Sequence, residues 1–435
     1  MEGNLPQQQC HPASTAVEKD DLIIPIIDFG PFLNGTPADK HEVAMSIVDA
    51  FKSSGFLYLK DHGIPPSVVS RVFGSSGRFF GRSQDQKDSL CWTTPQSNRG
   101  YVKTGQEKLS TVDDVAGTSR TTSDLKETME IGREGVDGFP NRWPDHIDDE
   151  GKDFKEVMLS FFNMCKSLHT EVMRAIALGM NLPEHFFDAY VDAGDNNLRL
   201  LHYPSLPKEV FKQNPGQVRA GEHSDYGSIT LLFQDSRGGL QVRSPKGTFV
   251  DVTPIADTVV INAGDLLARW SNDIIKSTRH RVVEPPTAVG EEENDSVSYP
   301  DRYSIAYFCN PNMNQFIEAI PGTFEEETRP AKYPGITTGD YLLNANILQP
   351  PSMIVILPLA YAPEGLAIQR TKPANSSWRP ARPGGNTLLG KAPSEADDSV
   401  IPNAIVVISE GNSPGAIPFT RILYGVKMLD SVLIR

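Results

Sequence analysis

The stretch GEHSDYGSITLLF, Gly221–Phe233, places a histidine and an aspartate two positions apart at the start of an apolar run. Side chains alternate between the two faces of a strand, so His223 and Asp225 point the same way if they lie at a strand entrance. One short segment would then present an imidazole and a carboxylate to the same point. Two ligands do not make a metal site, so the pattern calls for a third ligand elsewhere in the chain.

A second pair with the same spacing, His146 and Asp148, lies just before a long amphipathic helix that the apolar spacing predicts over Asp153–Met180. Acidic residues at that position suit an N-cap and the positive end of the helix dipole. We therefore expect this pair to serve the helix, and we expect His146 to have no part in metal binding.

The third ligand is predicted to be His280, which opens an apolar strand pattern in Ser277–Val283. The chain between Asp225 and His280 holds several predicted strands, enough to cross a sandwich and return beside the first pair. Two histidines and one carboxylate form the facial triad of non-haem Fe(II) oxygenases, which leaves positions open for a keto-acid and O₂. A zinc hydrolase could use similar ligands together with a nearby general base, so that alternative stays open.

A possible carboxylate anchor follows downstream, in Arg302-Tyr303-Ser304. Arg302 and Ser304 share one face of a predicted strand because they are two positions apart. A forked guanidinium binds a carboxylate well. A surface salt bridge is the commoner role of a single arginine, but the serine on the same face favours an anchor.

Composition and charge limit the class of protein. The 435 residues carry a net charge of −14, which argues against a nucleic-acid partner because phosphate binding needs a basic surface. No apolar run approaches the roughly 20 residues that span a bilayer, and the first residues lack the features of a secretory signal. The four scattered cysteines are typical of a reduced, cytoplasmic protein. We expect a small-molecule substrate, no membrane contact and no obligate protein partner.

Changes in composition and in the spacing of apolar residues along the chain predict an α+β fold. Residues 1–20 are polar and predicted to be disordered, and residues 21–150 form an N-terminal region with helices. Residues 151–344 hold the long helix and then short β-rich runs separated by turns, which are typical of an antiparallel sandwich or barrel. Residues 345–435 are a proline-rich tail that we expect to be poorly ordered.

These elements together resemble the 2-oxoglutarate- and Fe(II)-dependent dioxygenases of the isopenicillin N synthase-like group, and most closely its fungal members. HSD, STRHRV and RYS match that group's His-x-Asp, distal His and Arg-x-Ser elements in order. The other matching segments include IPIIDF, GFLYLKDHGIP, NRGYV, KETMEIGRE, LRLLHYP and INAGDLLARWSND. The resemblance covers about residues 22–344.

The resemblance implies a double-stranded β-helix, or jelly roll, behind a helical N-terminal region. The implied site residues are His223, Asp225 and His280 for iron and Arg302, Ser304 and Tyr203 for 2-oxoglutarate. No catalytic residue is expected beyond the metal ligands. Leu201 stands where the group's Asn-x-Tyr-Pro element has asparagine, so this side of the pocket departs from the pattern.

The implied activity couples oxidative decarboxylation of 2-oxoglutarate by O₂ to hydroxylation or desaturation of a small, largely apolar molecule, in fungal secondary metabolism. The alternatives are a metal hydrolase, or a member of the same fold that is catalytically silent or does not use the keto-acid. Tyr101, Tyr226 and Phe308 are candidate pocket walls. The tail is a further departure, because the prolines at 350 and 351 stop the helix that closes the pocket in the group.

Overall fold

The structure is a computed structural model that describes residues 14–92, 98–106, 124–214, 217–285, 298–348, 406–409 and 420–423. The chain divides into two compact units, residues 1–361 and 362–435. In the second unit, β18 (Val406–Ser409) and β19 (Thr420–Leu423) form an antiparallel pair. Apart from these two strands and residues 345–348, the tail that was predicted to be poorly ordered lies outside the described ranges.

Most helices of the first unit precede the β-rich half of the chain in sequence. They are α1 Gly30–Asn34, α2 Pro37–Ser53, α3 Pro66–Phe80, α4 Gln84–Asp88, α5 Asp149–Gly179, α6 Asp188–Val191, α7 Glu209–Gln213, α8 Asp265–Trp270 and α9 Thr338–Leu348. The last of these ends two residues before Pro350, as the paired prolines predict.

Strands of the first unit are short. They are β1 Ser14–Lys19, β2 Leu22–Asp28, β3 Phe56–Lys60, β4 Gly100–Val102, β5 Glu127–Gly132, β6 Asn197–Tyr203, β7 Leu206–Pro207, β8 Ala220–His223, β9 Ile229–Gln234, β10 Leu240–Arg243, β11 Phe249–Asp251, β12 Thr258–Ala263, β13 His280–Val282, β14 Ser298–Tyr299, β15 Arg302–Cys309, β16 Phe316–Ile317 and β17 Ile336–Thr337.

Two sheets form the core of this unit. The major sheet has the order β1-β2-β3-β12-β9-β15-β6-β5-β4, and the minor sheet has the order β11-β10-β13-β8. Neighbouring strands run antiparallel except β2 and β3, which are parallel. The strand order skips between distant parts of the chain, as expected for a jelly roll and not for a simple meander.

The sequence of strand β12 is an almost continuous apolar run because both of its faces are buried. Val259 and Ile261 belong to the apolar cluster that packs under the helices, whereas Val260 belongs to a second cluster between the two sheets. Each face of the strand is therefore buried around its centre, and Asn262 brings a buried polar group to the inner face. The site described below lies in this space between the sheets.

The long helix α5 covers the outer face of the major sheet. Its predicted apolar stripe, which runs from Phe154 to Ile176, is buried against that face. The helix begins at Asp149, earlier than predicted, because the Asp148 side chain accepts a hydrogen bond from the Gly151 N–H at 2.7 Å. The prediction that Asp148 is an N-cap is thus confirmed.

Two segments differ from the sequence prediction. Ser14–Lys19, predicted to be disordered, pairs with β2 as the edge strand β1, whereas residues 1–13 lie outside the described ranges. Residues 21–150, predicted as a region with helices, also contain the strands β4 and β5. Among the described helices, none combines the length and apolarity needed to cross a bilayer.

Candidate metal centre

The two predicted histidine ligands lie directly opposite each other in the minor sheet. Strands β8 and β13 pair antiparallel, with His223 and His280 in register. Residues opposite each other in such a pair project to the same face, and the imidazole centroids are 4.3 Å apart. Sequence-distant histidines therefore meet because of strand register alone.

Asp225 joins the histidines from the segment just after β8. Its Oδ1 atom lies 3.8 Å from His223 Nε2 and 3.8 Å from His280 Nε2. One ion can bridge such atoms because each metal–ligand bond is about 2.1 Å long. Within the described ranges, this is the group of three potential ligands whose atoms all lie within 4.8 Å of one another.

Backbone carbonyls orient both imidazoles. His223 Nδ1 lies 2.8 Å from Gly221 O, and His280 Nδ1 lies 3.2 Å from Thr278 O. A carbonyl only accepts, so each Nδ1 donates and each Nε2 keeps its lone pair for the centre. Burial, and next the neighbouring His280, lower the pKa of His223 to about 3, so this imidazole is neutral at pH 7.

The oxygen atoms of the Asp225 carboxylate have different partners. Oδ2 accepts hydrogen bonds from Thr230 Oγ1 at 2.5 Å and from Asn262 Nδ2 at 2.8 Å. Oδ1 is buried and has no hydrogen-bond partner. A bare carboxylate oxygen facing two imidazole lone pairs is unfavourable unless a cation lies between them, so the donor set fits a divalent metal ion.

Close backbone packing fixes the segment that carries Asp225. A Cβ atom added to Gly227 would lie 2.2 Å from Cys309 O, and one added to Gly264 would lie 2.3 Å from Gly227 O. Asp265 N also donates to Asp225 O at 2.7 Å. The glycines of HSDYGS and INAGD therefore let two turns approach closely, which places the carboxylate.

The predicted anchor for 2-oxoglutarate lies on β15. The side chain of Arg302 is 1 % exposed, and its Nη1 donates to Ser304 Oγ at 3.2 Å. Its Nε and Nη2 donate to Gly238 O and to Gln234 Oε1. The Arg302 Cζ atom lies 4.8 Å from the centre of the Tyr203 ring. No carboxylate among the described residues pairs with this guanidinium, which leaves its charge available to an anionic ligand.

One cavity between the sheets brings all the predicted site residues together. Its polar lining consists of the predicted residues His223, Asp225, His280, Arg302, Ser304 and Tyr203 and of Lys126, Arg199, Thr230 and Asn262. Sequence reasoning missed the last four. Arg199 could have been found from the alternation in LRLLHYP, because Arg199, Leu201 and Tyr203 share the inner face of β6.

The missed cations make one side of this cavity polar. Arg199 Nε lies 2.5 Å from Glu130 Oε1, and Lys126 Nζ lies 3.2 Å from Asp124 Oδ2. The Phe308 ring centre is 5.5 Å from Arg199 Cζ. Phe308 therefore combines an aromatic face with nearby hydrogen-bond donors.

Some expectations fall outside this cavity. Tyr101 and Tyr226 do not line it, and the Tyr101 hydroxyl instead donates to Glu127. His146 is exposed beside the start of α5 and is not a member of the group of potential metal ligands. Among the described residues, a wider groove of about 880 Å³ beside α1 and α3 shares no lining residue with the metal cavity.

Comparisons with known proteins agree with this geometry. Residues 24–146 match the family described as non-haem dioxygenase in morphine synthesis N-terminal, and residues 194–311 match the 2OG-Fe(II) oxygenase superfamily. The chain is 36 % identical over 323 residues to the 2-oxoglutarate-Fe(II) type oxidoreductase ppzD of Metarhizium rileyi, covering 72 % of this chain and 88 % of the relative.

Solved structures give the same assignment. A full-length Neurospora crassa protein, crystallised in complex with alpha-KG, is 55 % identical, with a TM-score of 0.70, over 76 % of this chain and 98 % of that one. The same Neurospora crassa protein in complex with alpha-KG and thymine is 54 % identical, also with a TM-score of 0.70. These likenesses confirm the predicted α+β jelly-roll class.

The matches also confirm the predicted oxidoreductase class, which uses Fe(II), 2-oxoglutarate and O₂. They support the prediction of an oxygenase related to fungal enzymes and not the alternative of a metal hydrolase. The chain therefore belongs to the 2OG-Fe(II) oxygenase superfamily.

Proposed function

We propose that the protein oxidises the methyl group of thymine or of a closely similar 5-substituted pyrimidine. The observation that carries this proposal is the 54 % identity to the Neurospora crassa protein in complex with alpha-KG and thymine, over 98 % of the length of that protein. That protein also binds 5-formyluracil, in a structure 53 % identical to this chain. Thymine and 5-formyluracil differ only in the oxidation state of one exocyclic carbon, which points to that carbon as the reacting centre.

The proposed roles follow from the donor sets. His223, Asp225 and His280 would hold Fe(II), which supplies the site where O₂ and 2-oxoglutarate react when it is bound. Arg302 and Ser304 would bind the distal carboxylate of 2-oxoglutarate. The hydrogen bonds to Gly238 and Gln234 keep the guanidinium oriented before the ligand arrives, so little ordering is needed on binding.

The substrate side suits a flat ring with carbonyl groups at its edge. Phe308 offers a face on which a pyrimidine can stack, and Arg199 and Lys126 are donors for its carbonyl oxygens. The faces of such a ring are apolar, whereas its edges need these polar partners. A pyrimidine is therefore more polar than the largely apolar substrate that the sequence predicts. Buried Leu201 and Ala306 line the same cavity and help exclude water from it.

We also propose that the protein acts in the cytoplasm on a free small molecule, without nucleic acid or a protein partner. The net charge of −14 supports the first exclusion. The described cysteines, Cys91, Cys165 and Cys309, are free thiols, which fits a reducing compartment.

The test is an assay of the purified full chain with Fe(II), ascorbate and 2-oxoglutarate. Thymine should stimulate succinate formation and yield a product heavier by one oxygen atom. Uracil is the matched control because it lacks only the methyl group, and it should yield no oxygenated product. Stimulation by L-proline instead would contradict the proposal. It would favour the chemistry of proline hydroxylase buaE of Petromyces alliaceus, which is 34 % identical over 298 residues, or 68 % of this chain and 89 % of the relative.

A further inference from the structure

A second buried guanidinium lies near the proposed 2-oxoglutarate anchor. Arg219 lies just before β8 and is 0 % exposed. Its Nη1 donates to Tyr203 O at 3.1 Å and to Pro204 O at 3.3 Å. Its Nε and Nη2 are buried without any hydrogen-bond partner. The contacts of the Arg219 side chain therefore satisfy only one of its three guanidinium nitrogen atoms.

Tyr203 connects this arginine to Arg302. The carbonyl of Tyr203 accepts from Arg219, and its ring lies 4.8 Å from the Arg302 Cζ atom. Tyr203 and Arg302 are also register partners on β6 and β15. Burial, and next the charge of Arg302, lower the pKa of Arg219.

Neither cation has a carboxylate partner within the described part of the chain. Asp301 and Asp235 are close enough to favour the charged form of Arg219, but no ion pair forms with it. A buried charge without a counter-ion is costly. Two of them beside one cavity make that end of the cavity strongly attractive to an anion.

We propose that Arg219 is a positioning residue for 2-oxoglutarate, which holds Tyr203 in place and adds a second positive charge behind Arg302. This inference rests on the proposed role of Arg302 as the anchor. Arg219 does not line the cavity and would not touch the carboxylate. It would raise the affinity for the dianionic co-substrate through its charge and through the backbone of Tyr203.

Two substitutions separate charge from hydrogen bonding. Arg219→Lys keeps the charge and a donor, whereas Arg219→Gln keeps donors and removes the charge. Arg237→Gln is the matched control, because Arg237 is exposed on the nearby turn after β9. Each protein is loaded with Mn(II) without O₂, and the dissociation constant for 2-oxoglutarate is measured by calorimetry. Metal content, the thermal midpoint, and kcat and KM with thymine are measured in parallel.

The expected result is a roughly tenfold weaker binding of 2-oxoglutarate by Arg219→Gln, the effect of one nearby charge at an effective dielectric of about 20. Arg219→Lys should recover most of that loss. Metal content should be unchanged, and KM for 2-oxoglutarate should rise more than kcat falls. Arg237→Gln should behave like the wild type.

Other results would overturn the inference. Equal affinity of the Lys and Gln variants for 2-oxoglutarate would show that the charge of Arg219 has no role. A lower thermal midpoint with unchanged 2-oxoglutarate affinity would show that Arg219 only supports the fold. Failure of the proposed anchor is distinguishable from both, because Arg302→Leu would then leave 2-oxoglutarate binding unchanged as well.

Discussion

At the scale of single residues, the two oxygen atoms of Asp225 have different partners, and this difference matters for the proposed metal site. Thr230 and Asn262 hold Oδ2, so that Oδ1 stays turned toward the histidines. Such outer partners fix the orientation of a ligand and affect metal affinity although they never touch the metal. Thr230 of β9 and Asn262 of β12 would therefore be outer partners of the proposed metal centre.

Replacement of Thr230 by valine tests this arrangement. Thr230→Val keeps the shape of the side chain but removes the hydrogen bond to Asp225, so Fe(II) affinity should fall by about 10- to 100-fold. The measurement is a competition titration with a metal-binding dye. Thr258→Val on β12 makes the same chemical change outside the metal cavity and should have little effect. Equal losses in both variants would contradict the role of Thr230.

Removal of a metal ligand should abolish both metal retention and turnover. We expect this for His223→Ala and Asp225→Ala, because two remaining ligands hold iron poorly. His146→Ala should retain nearly full activity, since His146 is exposed at the start of α5. Metal content by mass spectrometry and succinate formation are the two readouts. Comparable damage from His146→Ala would mean that the wrong histidine–aspartate pair has been chosen.

Arg302→Leu tests the anchor independently of the metal. The loss of a charged hydrogen-bond donor should raise KM for 2-oxoglutarate by roughly 10- to 100-fold. Iron content should be unchanged, because Arg302 is not a member of the metal-ligand group. An unchanged dependence on 2-oxoglutarate would instead favour a member of the fold that does not use the keto-acid.

At the scale of elements, the start of α5 depends on one ionised side chain. Asp148 caps the helix and also accepts hydrogen bonds from Arg82, at 2.8 and 2.7 Å. The Arg82 hydrogen bonds, and next the Gly151 N–H, lower the pKa of Asp148 from 3.8 to about 2. A carboxylate with a depressed pKa stabilises the fold above its unfolded pKa, and that contribution is lost as the pH falls through the folded value.

Asp148→Ala should therefore lower the thermal midpoint at pH 7. The difference from the wild type should narrow as the pH falls from about 4 toward 2, because Asp148 itself becomes protonated there. Calorimetric scans across this range make the comparison. Asp149→Ala is the control, since Asp149 lies in the first turn but does not cap it. A difference that stays constant with pH would mean that the charge of Asp148 is irrelevant.

Strands whose two faces are both buried in apolar surroundings were predicted well, whereas strand β5, which carries charged residues, was missed. The apolar runs of β9 and β12 identify strands because the helices bury one face and the minor sheet the other. Strand β5 carries Glu127 and Glu130, which look like surface residues in sequence. Both are buried, with Glu130 paired to Arg199 and Glu127 to Lys87. A sequence pattern does not reveal such partners, because they come from other elements.

At the scale of the whole molecule, the proposed metal would connect the two sheets. His223 and His280 belong to the minor sheet, whereas Asp225 is hydrogen-bonded to Thr230 and Asn262 of the major sheet. Fe(II) or Mn(II) should therefore raise the thermal midpoint. At a hundredfold excess of metal over Kd, binding should add about 2.7 kcal/mol to the free energy of unfolding. Scanning calorimetry with and without a chelator measures this. Asp225→Ala should show no such rise, and a rise in that variant would contradict the site.

The local motifs supplied the candidate metal and anchor residues that the structure brings into one cavity, but not the residues proposed to face the substrate. His223, Asp225 and Arg302 stand in short, recognisable segments. Lys126 and Arg199 reach the same cavity from the start of β5 and from β6, and their relation to it depends on strand order. That order is set by contacts between distant segments, which a single sequence does not contain.

The proposed metal-binding histidines and the proposed substrate-facing residues lie on different sheets, which has a practical consequence for engineering. The histidines sit on one sheet, and Arg199 and Phe308 sit on inward positions of the other. Libraries confined to Arg199 and Phe308 can therefore search for new substrates without changing the proposed metal ligands, as long as Tyr203, Arg302 and Ser304 on the same two strands are kept. A lineage could diversify in the same way, with the proposed ligands and anchor preserved while the remaining inward positions of the facing sheet change.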